Sequence, residues 1–297
     1  MTQRAKPFEG VFTALVTPMR GGKVDDKALA ELVEEQVAHG IHGLVAVGTT
    51  GESPTLSFEE HVHVVAQVVK QARNRVPVIA GTGSNSTAEA IELSKAAREV
   101  GADGLLLVTP YYNKPTQDGL VRHFRAVCEA VPLPAIVYNI PGRTGCDMLA
   151  ETVARLAAEV PTVVGIKEAS GSIQRATQIL RLVGDRLAVL AGDDALAFPT
   201  HAVGGRGVIA VVSHLHPRAM VEMWEAAKSL DLARARELHF KIQPLVELLF
   251  VEANPIPVKS ALAMMGKIAD EIRPPLYPLA GEARERLRKQ LVAEGLL

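Results

Sequence analysis

Val163-Val164-Gly165-Ile166-Lys167-Glu168-Ala169-Ser170 is an apolar run that ends in a lysine and then breaks into small polar residues. Its apolarity is continuous, which is typical of a parallel strand with both faces covered by helices. A lysine that closes such a strand is placed where side chains converge at the mouth of a barrel. Partial burial there would lower the pKa of the ammonium and yield a nucleophilic amine able to form a Schiff base with a ketone. The alternative is that the Lys167 side chain extends into water.

Seven further apolar runs resemble the first, and longer amphipathic segments separate them. Together they predict eight strands, at residues 11–16, 43–47, 77–80, 104–108, 135–138, 163–167, 187–191 and 207–211. Helical periodicity predicts intervening helices that include residues 27–39, 58–73, 87–100, 120–130, 148–158 and 173–183. Eight such units in about 230 residues match a closed (β/α)8 barrel, which usually needs about 250 residues.

A doubly wound sheet is the alternative architecture, and it usually carries a glycine-rich dinucleotide-binding turn. The nearest match is Gly81-Thr82-Gly83-Ser84-Asn85-Ser86, which lacks the third glycine. We interpret this stretch as a loop that leads into a helix capped near Ser86 or Thr87.

The pattern changes after residue 217, because only helices are predicted from there on. They are expected at about 217–229, 231–251, 255–265 and 280–294. We therefore predict an α/β fold, with a (β/α)8 TIM barrel in residues 1–230 and a C-terminal α-helical extension in residues 231–297.

Composition excludes several classes of function. Charged residues are 22% of the chain and the formal net charge is −1, so no basic surface for nucleic acid is expected. The two cysteines, Cys128 and Cys146, have no CxxC spacing, which argues against a disulfide scaffold or a zinc site and fits a reducing compartment. Neither a signal peptide nor a membrane span is evident in the sequence. We expect a cytoplasmic protein that does not bind membranes.

Polar residues follow several predicted strands, at the end of a (β/α)8 barrel that forms the active site. Residues 48–53 combine glycines with adjacent hydroxyls that can bind a carboxylate, and Tyr111 and Tyr112 lie after the fourth strand. Tyr138 ends the fifth strand, next to the strand of Lys167, and Arg143 follows on a stiffened loop. Each has an ordinary alternative, such as a polar turn, a loop tyrosine or a solvated charge. Together they suit carbon–carbon bond formation through a lysine imine, with hydroxyls relaying protons and arginine holding an acid.

Metal ligands are poorly arranged. His61 and His63 lie two apart on a predicted helix and should diverge. His214 and His216 flank a loop, where metal binding is a minor alternative. Asp193 and Asp194 are better explained as the cap of the following helix.

These residues closely resemble the 4-hydroxy-tetrahydrodipicolinate synthase family, also called dihydrodipicolinate synthase, of the pyruvate-dependent class I aldolase superfamily. The resemblance spans nearly the whole chain. Its motifs are residues 10–18, 48–53, 78–83, 109–115, 138–145, 165–171 and 254–259.

The resemblance implies that pyruvate is condensed with L-aspartate 4-semialdehyde, in the diaminopimelate route to lysine, without a metal or organic cofactor. Lys167 would form the imine with pyruvate. Tyr138 would pass protons, and Thr50 and Tyr112 would complete the relay. In the family, the tyrosine that matches Tyr112 or its neighbour reaches in from a second subunit, so the resemblance implies a homodimer at least and usually a dimer of dimers.

The resemblance also implies the substrate-binding residues. Thr49 and Thr50 would bind the pyruvate carboxylate, and Arg143 would bind the carboxylate of the semialdehyde. The backbone near Gly192 and Ile209 would line the pocket.

A regulatory site is implied as well, because some members are inhibited by L-lysine bound at a dimer interface. The matching polar positions are Ser53, His61, Asn85, Glu89 and Tyr111. Pro54 and Phe58 depart from the pattern of inhibited enterobacterial members, and His214 replaces the asparagine often found after the eighth strand.

Two rival functions remain open at this point. A sibling lyase, such as an N-acetylneuraminate or 2-keto-3-deoxy-sugar-acid aldolase, would keep Lys167 and Tyr138 but use a polyhydroxylated aldehyde. A non-catalytic ketoacid-binding barrel would keep the pocket without turnover. Arg143 and Thr50 favour the synthase over the sibling lyases.

Overall fold

The computed structural model describes residues 8–297, and it contains a closed barrel of eight parallel strands. The strands are β1 (Gly10–Ala14), β2 (Gly43–Ala46), β3 (Val78–Gly81), β4 (Gly104–Val108), β5 (Ala135–Asn139), β6 (Val163–Glu168), β7 (Ala188–Ala191) and β8 (Gly207–Ala210). Each strand pairs with the next along the chain, and β8 pairs with β1 to close the barrel. The predicted (β/α)8 TIM barrel is therefore confirmed, and the doubly wound sheet is wrong.

Helices alternate with the strands and continue after the last one. They are α1 (Asp26–Ala38), α2 (Phe58–Ala72), α3 (Thr87–Glu99), α4 (Gln117–Ala130), α5 (Ala150–Glu159), α6 (Ile173–Val183), α7 (Ala197–Ala202), α8 (Pro217–Lys228), α9 (Leu232–Leu249), α10 (Ile256–Met264) and α11 (Gly281–Ala293). The largest difference from the predicted bounds is at the start of α4, predicted at residue 120 and observed at Gln117.

Besides single 3-10 turns, three short elements within residues 8–297 were not predicted from the sequence. They are α7, the helical turn Pro141–Thr144, and an antiparallel hairpin of Met19–Arg20 with Lys23–Val24. Each is too short to complete two helical turns or a clear alternation, so periodicity cannot reveal it.

Side-chain caps set several helix starts. Ser57 and Glu60 form a capping box at α2, and Ser86 accepts a hydrogen bond from the Glu89 amide at the start of α3. Thr116 caps α4 in the same way. The predicted cap near Ser86 or Thr87 therefore lies at Ser86.

The strands bury side chains on both faces, which accounts for their continuous apolarity. One set fills the barrel interior: Phe12, Ala14, Val45, Ile79, Leu106, Ile136, Tyr138, Ala188, Leu190 and Ile209. The other faces the surrounding helices and forms a larger core that continues into the C-terminal helices. In β2, for example, Val45 belongs to the interior set, and Leu44 and Ala46 belong to the outer core.

The seam between β1 and β8 carries polar contacts in addition to strand pairing. The buried Gln36 of α1 accepts a hydrogen bond from the Thr13 hydroxyl at 2.6 Å and donates one to the Ser213 carbonyl at 3.1 Å. Nε2 of the buried His214 accepts a hydrogen bond from the Val16 amide at 3.1 Å. His214 therefore bridges the ends of the first and last strands, which gives it a structural role.

The C-terminal helices pack against the barrel. Helix α9 lies along α8, and Leu245, Leu249, Leu262, Leu287 and Leu291 belong to the same core as the barrel helices. Within residues 8–297, no helix combines the length and the apolarity needed to cross a bilayer.

Candidate active site

Lys167 lies near the end of β6, and its side chain points into the barrel mouth. It is only 6% exposed, and its Nζ lies 4.4 Å from the centroid of the Tyr138 ring. Lys167 and Tyr138 are register partners on β6 and β5, so the two side chains leave the sheet side by side. The alternative of a lysine extended into water is therefore wrong.

The environment of Lys167 favours the free amine. Burial lowers the pKa of this lysine to about 8, against the raising effect of Asp194, and Arg143 lowers it further. Gly192 contributes by its shape, because a Cβ there would lie 3.0 Å from both Cε and Cγ of Lys167. Gly192 thus contacts the reactive side chain, and no larger residue fits there without displacing it.

The Tyr138 phenol is kept protonated at neutral pH. Burial raises its pKa to about 12, although a hydrogen bond with the Thr49 side chain and the charge of Arg143 lower it. A protonated phenol beside an amine can both donate a proton to a leaving oxygen and recover one from it.

The two threonines of the loop after β2 have different partners. The Thr49 side chain interacts with the Tyr138 phenol and lowers its pKa. Thr50 is buried, and its hydroxyl accepts a hydrogen bond from Asn254 Nδ2 at 2.9 Å. The hydroxyl that approaches the phenol is therefore that of Thr49, whereas the sequence predicted a relay through Thr50. The two hydroxyls are adjacent in the chain, and only the conformation of the turn Thr49–Gly51 decides which of them faces β5.

Arg143 lies on the helical turn that follows β5, at the exposed rim of the site. Its Nη2 donates a hydrogen bond to the Asn254 carbonyl at 2.9 Å. The loop that carries it is fixed at its far end by Asn139, whose Nδ2 donates to Asp147 at 3.0 Å and whose Oδ1 accepts from the Met148 amide at 2.9 Å. The guanidinium is thus held beside the cavity while its surface stays accessible.

Asp194 has a role that the sequence analysis missed. Asp193 does cap the turn that follows, because it accepts a hydrogen bond from the Ala195 amide at 3.0 Å. Asp194 instead is buried, and its carboxylate accepts hydrogen bonds from the amides of Val211 and Val212. Burial raises its pKa to about 6, and its charge in turn raises the pKa of Lys167. A carboxylate just beyond a barrel strand end was the available signal.

The cavity of about 450 Å³ opens beside these residues at the ends of β2 to β5. Its walls include Thr49, Tyr138 and Arg143 among the predicted substrate-binding and catalytic residues. They also include Ser53, His61, Glu89 and Tyr111, which were predicted to bind lysine. Asn85, also predicted to bind lysine, donates a hydrogen bond to the Tyr111 carbonyl at 3.2 Å. Ile209, predicted to line the substrate pocket, lies inside the barrel. Within one chain, the predicted lysine site therefore shares a cavity with part of the predicted active site. Lys167 is not in the wall of this cavity and lies behind Tyr138, which is.

The half of the cavity that was predicted to bind lysine mixes polar and apolar residues. His61 donates a hydrogen bond from Nε2 to the Gly81 carbonyl at 2.8 Å, and burial lowers the pKa of its imidazole. The Ser84 hydroxyl donates a hydrogen bond to the Glu89 carboxylate. Pro54 and Phe58 line the same region. The two departures noted in the sequence therefore lie within the predicted lysine site.

Tyr112 does not join the other predicted catalytic residues in its own chain. It is 90% exposed, its φ is 71°, and it is absent from the cavity wall. Its amide donates a hydrogen bond to the Thr144 carbonyl at 3.4 Å, while its side chain lies at the surface.

The residues of the motif at 254–259 form contacts that sequence reasoning did not assign. Lys259 is buried on α10, donates a hydrogen bond to the Thr17 carbonyl at 3.0 Å, and forms an ion pair with the buried Glu52. Glu52 also accepts a hydrogen bond from the Arg273 amide at 2.9 Å. A single charged residue in an otherwise uncharged helix was the available signal, since buried charges require partners.

Candidate metal ligands stay apart. His61 faces Gly81, while His63 bonds to Asp26 at the surface, as their spacing predicted. Within residues 8–297, no three His, Cys, Asp or Glu side chains are grouped so that they could hold a metal ion.

Comparison with known proteins gives a consistent result. The model of the dihydrodipicolinate synthetase family matches residues 7–294. The 4-hydroxy-tetrahydrodipicolinate synthase of Geobacter metallireducens is 54% identical over 280 residues, covering 94% of this chain and 96% of the relative.

Solved structures agree. The dihydrodipicolinate synthase of Acinetobacter baumannii, complexed with pyruvate, is 49% identical with a TM-score of 0.95, over 98% of this chain and 100% of the other. The enzyme of Cyanidioschyzon merolae with lysine bound is 42% identical with a TM-score of 0.95, over 99% of this chain and 100% of the other. This chain therefore belongs to the dihydrodipicolinate synthetase family.

Proposed function

We propose that this chain is a lyase that condenses pyruvate with L-aspartate 4-semialdehyde through an imine on Lys167, as a 4-hydroxy-tetrahydrodipicolinate synthase in the diaminopimelate route to lysine. The observation that carries the proposal is the buried Lys167 amine, with a pKa lowered to about 8, beside a phenol that stays protonated. The names of the relatives favour this reaction over cleavage of sugar acids and over a silent barrel.

The first half of the reaction uses Lys167 and Tyr138. The free amine attacks the keto carbon of pyruvate, and the keto oxygen leaves as water after it takes up protons through the phenol and the Thr49 hydroxyl. Loss of a proton from the pyruvate methyl group then gives an enamine. Thr49 takes the relay position here because it bonds to the phenol.

The second half joins the two substrates. The enamine carbon attacks the aldehyde carbon of the semialdehyde, whose oxygen is protonated to a hydroxyl. The amino group of the same substrate then attacks the imine carbon and displaces Lys167, which closes the ring and frees the amine. Arg143 binds the semialdehyde carboxylate at the rim, and the loop of Thr49 and Thr50 binds the pyruvate carboxylate.

Two further assignments extend this proposal. Tyr112 supplies a phenol to the site of a partner subunit, since its exposed side chain faces away from its own cavity. L-lysine binds in the half of the cavity that contains His61, Glu89 and Tyr111 and lowers the rate. An initial rate that does not respond to millimolar lysine would remove the second assignment.

The chain itself is proposed to be divided near residue 230 into a catalytic barrel and a C-terminal helical domain. A cytoplasmic location is proposed from the two cysteines, which are both free and buried.

Borohydride reduction in the presence of pyruvate tests the central claim. We expect mass spectrometry to find a reduced pyruvate adduct on Lys167 of the unsubstituted protein. Lys167→Ala should lack this adduct. The control Lys95→Ala, which replaces an exposed lysine on α3, should still form it. We expect Arg143→Ala to retain the adduct but to lose about a hundredfold in kcat/KM for the semialdehyde, the scale of a charge-assisted bidentate contact. Undiminished labelling of Lys167→Ala would refute the proposal.

A further inference from the structure

Asn254 lies on the segment between α9 and α10, far along the chain from the barrel loops that it touches. Its Nδ2 donates to the Thr50 hydroxyl at 2.9 Å, and its carbonyl accepts from Arg143 Nη2 at 2.9 Å. One residue thus contacts both of the groups to which the proposed function assigns a substrate carboxylate.

The direction of the first hydrogen bond has a chemical consequence. The amide nitrogen of Asn254 can only donate, so the Thr50 oxygen is the acceptor in this contact. The hydroxyl hydrogen of Thr50 must then point elsewhere, and it is free to donate to a carboxylate. Asn254 therefore fixes Thr50 as a donor.

The second contact acts on Arg143. One guanidinium nitrogen is occupied by the Asn254 carbonyl, which orients the planar group and leaves its other N–H groups for a carboxylate. Arg143 contacts the backbone carbonyl of Asn254, so this contact depends on the position of the segment between α9 and α10. The hydrogen bond from the Asn254 side chain to Thr50 helps to fix that position.

The amide of Asn254 is not explained by packing. The residue is 6% exposed, and its Oδ1 is buried without a hydrogen-bond partner among residues 8–297. An unpaired buried acceptor lowers stability, so an apolar side chain would serve packing better.

The helix that follows this segment, α10, is anchored to the same loop. Lys259 pairs with Glu52, two residues beyond Thr50, and donates to the Thr17 carbonyl at 3.0 Å. Asn254 is therefore held against the loop of Thr50 at two points, which restricts its freedom to shift.

We propose that Asn254 is a positioning residue for substrate carboxylates: its side-chain amide turns the Thr50 hydroxyl toward pyruvate, and its carbonyl orients Arg143 toward the second substrate. This inference rests on the proposed function. It predicts that the direction of hydrogen bonding at position 254, more than its shape, determines pyruvate binding.

Two variants separate the effect of the hydrogen-bond direction at position 254 from the effect of side-chain shape. Asn254→Ala removes the donor, and Asn254→Asp keeps the shape but accepts a hydrogen bond from Thr50, which turns the hydroxyl away from pyruvate. We expect the pyruvate concentration that gives half-maximal borohydride trapping to rise about tenfold in Asn254→Ala and at least about tenfold more in Asn254→Asp. A role in packing predicts the reverse order, with the isosteric aspartate closer to the original protein.

Repeating both substitutions in a Thr50→Val background controls for charge. Without the hydroxyl, we expect the two variants to trap pyruvate alike. A penalty for aspartate that persists in this background would assign the effect to charge repulsion and overturn the inference. If Asn254→Asp does not fold, as judged by circular dichroism, the test becomes whether Asn254→Ala adds any loss to Thr50→Val, and an additive loss would equally overturn it.

The proposed function and the role of Asn254 are refuted by different results. If the unsubstituted protein forms no adduct with pyruvate, the proposed function is wrong. If it forms the adduct and the position-254 variants trap pyruvate as well as it does, only the role of Asn254 is wrong.

Discussion

Lys167 combines its proposed chemical role with a thermodynamic cost. Its pKa, lowered to about 8 by burial, gives on the order of 300 times more free amine at pH 7 than an ordinary lysine has. The same desolvation disfavours the folded state, because an ammonium group must be buried with incomplete compensation. Reactivity and instability at this residue therefore have one cause.

We predict that Lys167→Met stabilises the fold by about 3 kcal/mol at pH 7, the equivalent of the lowered pKa. The folded pKa lies below the unfolded value of 10.5, so the cost is complete below pH 8 and vanishes as the pH rises toward 10.5. Chemical denaturation of both proteins between pH 7 and pH 10 measures it. A gap that stays constant with pH would mean that the cost does not come from protonation.

The site was predictable only in part from single residues. The proximity of Lys167, Tyr138 and Arg143 could be predicted, because the ends of parallel barrel strands bring their side chains together. Which of Thr49 and Thr50 approaches the phenol could not be predicted, because the positions of neighbouring hydroxyls depend on loop torsions. Asn254 could not be assigned a contact, since no local pattern indicates which loop a distant segment touches.

At the scale of elements, the continuous apolar runs gave the strands and the amphipathic runs gave the helices, with bounds accurate to a few residues. The strand prediction succeeded because every barrel strand is buried on both faces. Each strand is therefore a continuous apolar run in the sequence, and polar turns mark where the run ends. It failed for α7, which has six residues and contains Pro199. Short elements of this kind are stabilised by tertiary contacts that periodicity does not record.

The ion pair between α10 and the loop after β2 permits a test of how the extension supports the barrel. We predict that Lys259→Met lowers the free energy of unfolding by about 3–5 kcal/mol, because it leaves the buried Glu52 carboxylate without its cation. Urea denaturation monitored by circular dichroism measures the loss.

The matched variant is Glu52→Gln combined with Lys259→Met, which removes both charges. We expect it to recover most of the loss, since the cost arises from an unpaired charge. A double variant as unstable as Lys259→Met would show that packing of the lysine stem is responsible.

At the scale of the whole molecule, the exposed Tyr112 predicts a shared active site. We expect a mixture of Lys167→Ala and Tyr112→Phe chains, unfolded and refolded together, to regain activity that neither variant has alone. In a mixed dimer, the site with an intact lysine receives an intact tyrosine from its partner. Random pairing would restore about a quarter of the sites.

The steady-state rate of the refolded mixture measures this recovery, and each variant refolded separately is the control. If the mixture is only as active as the average of the two controls, Tyr112 acts within its own chain or has no catalytic role.

The seam formed by Thr13, Gln36 and His214 joins parts of the chain that are made at very different times. The contact between Val16 and His214 spans 198 residues, so β1 lacks its second neighbour until β8 has left the ribosome. At ordinary rates of synthesis this interval is on the order of 10 seconds or more. During this interval, β1 has an unpaired edge that can pair with a strand of another chain and so promote aggregation. Closure of the barrel removes this edge.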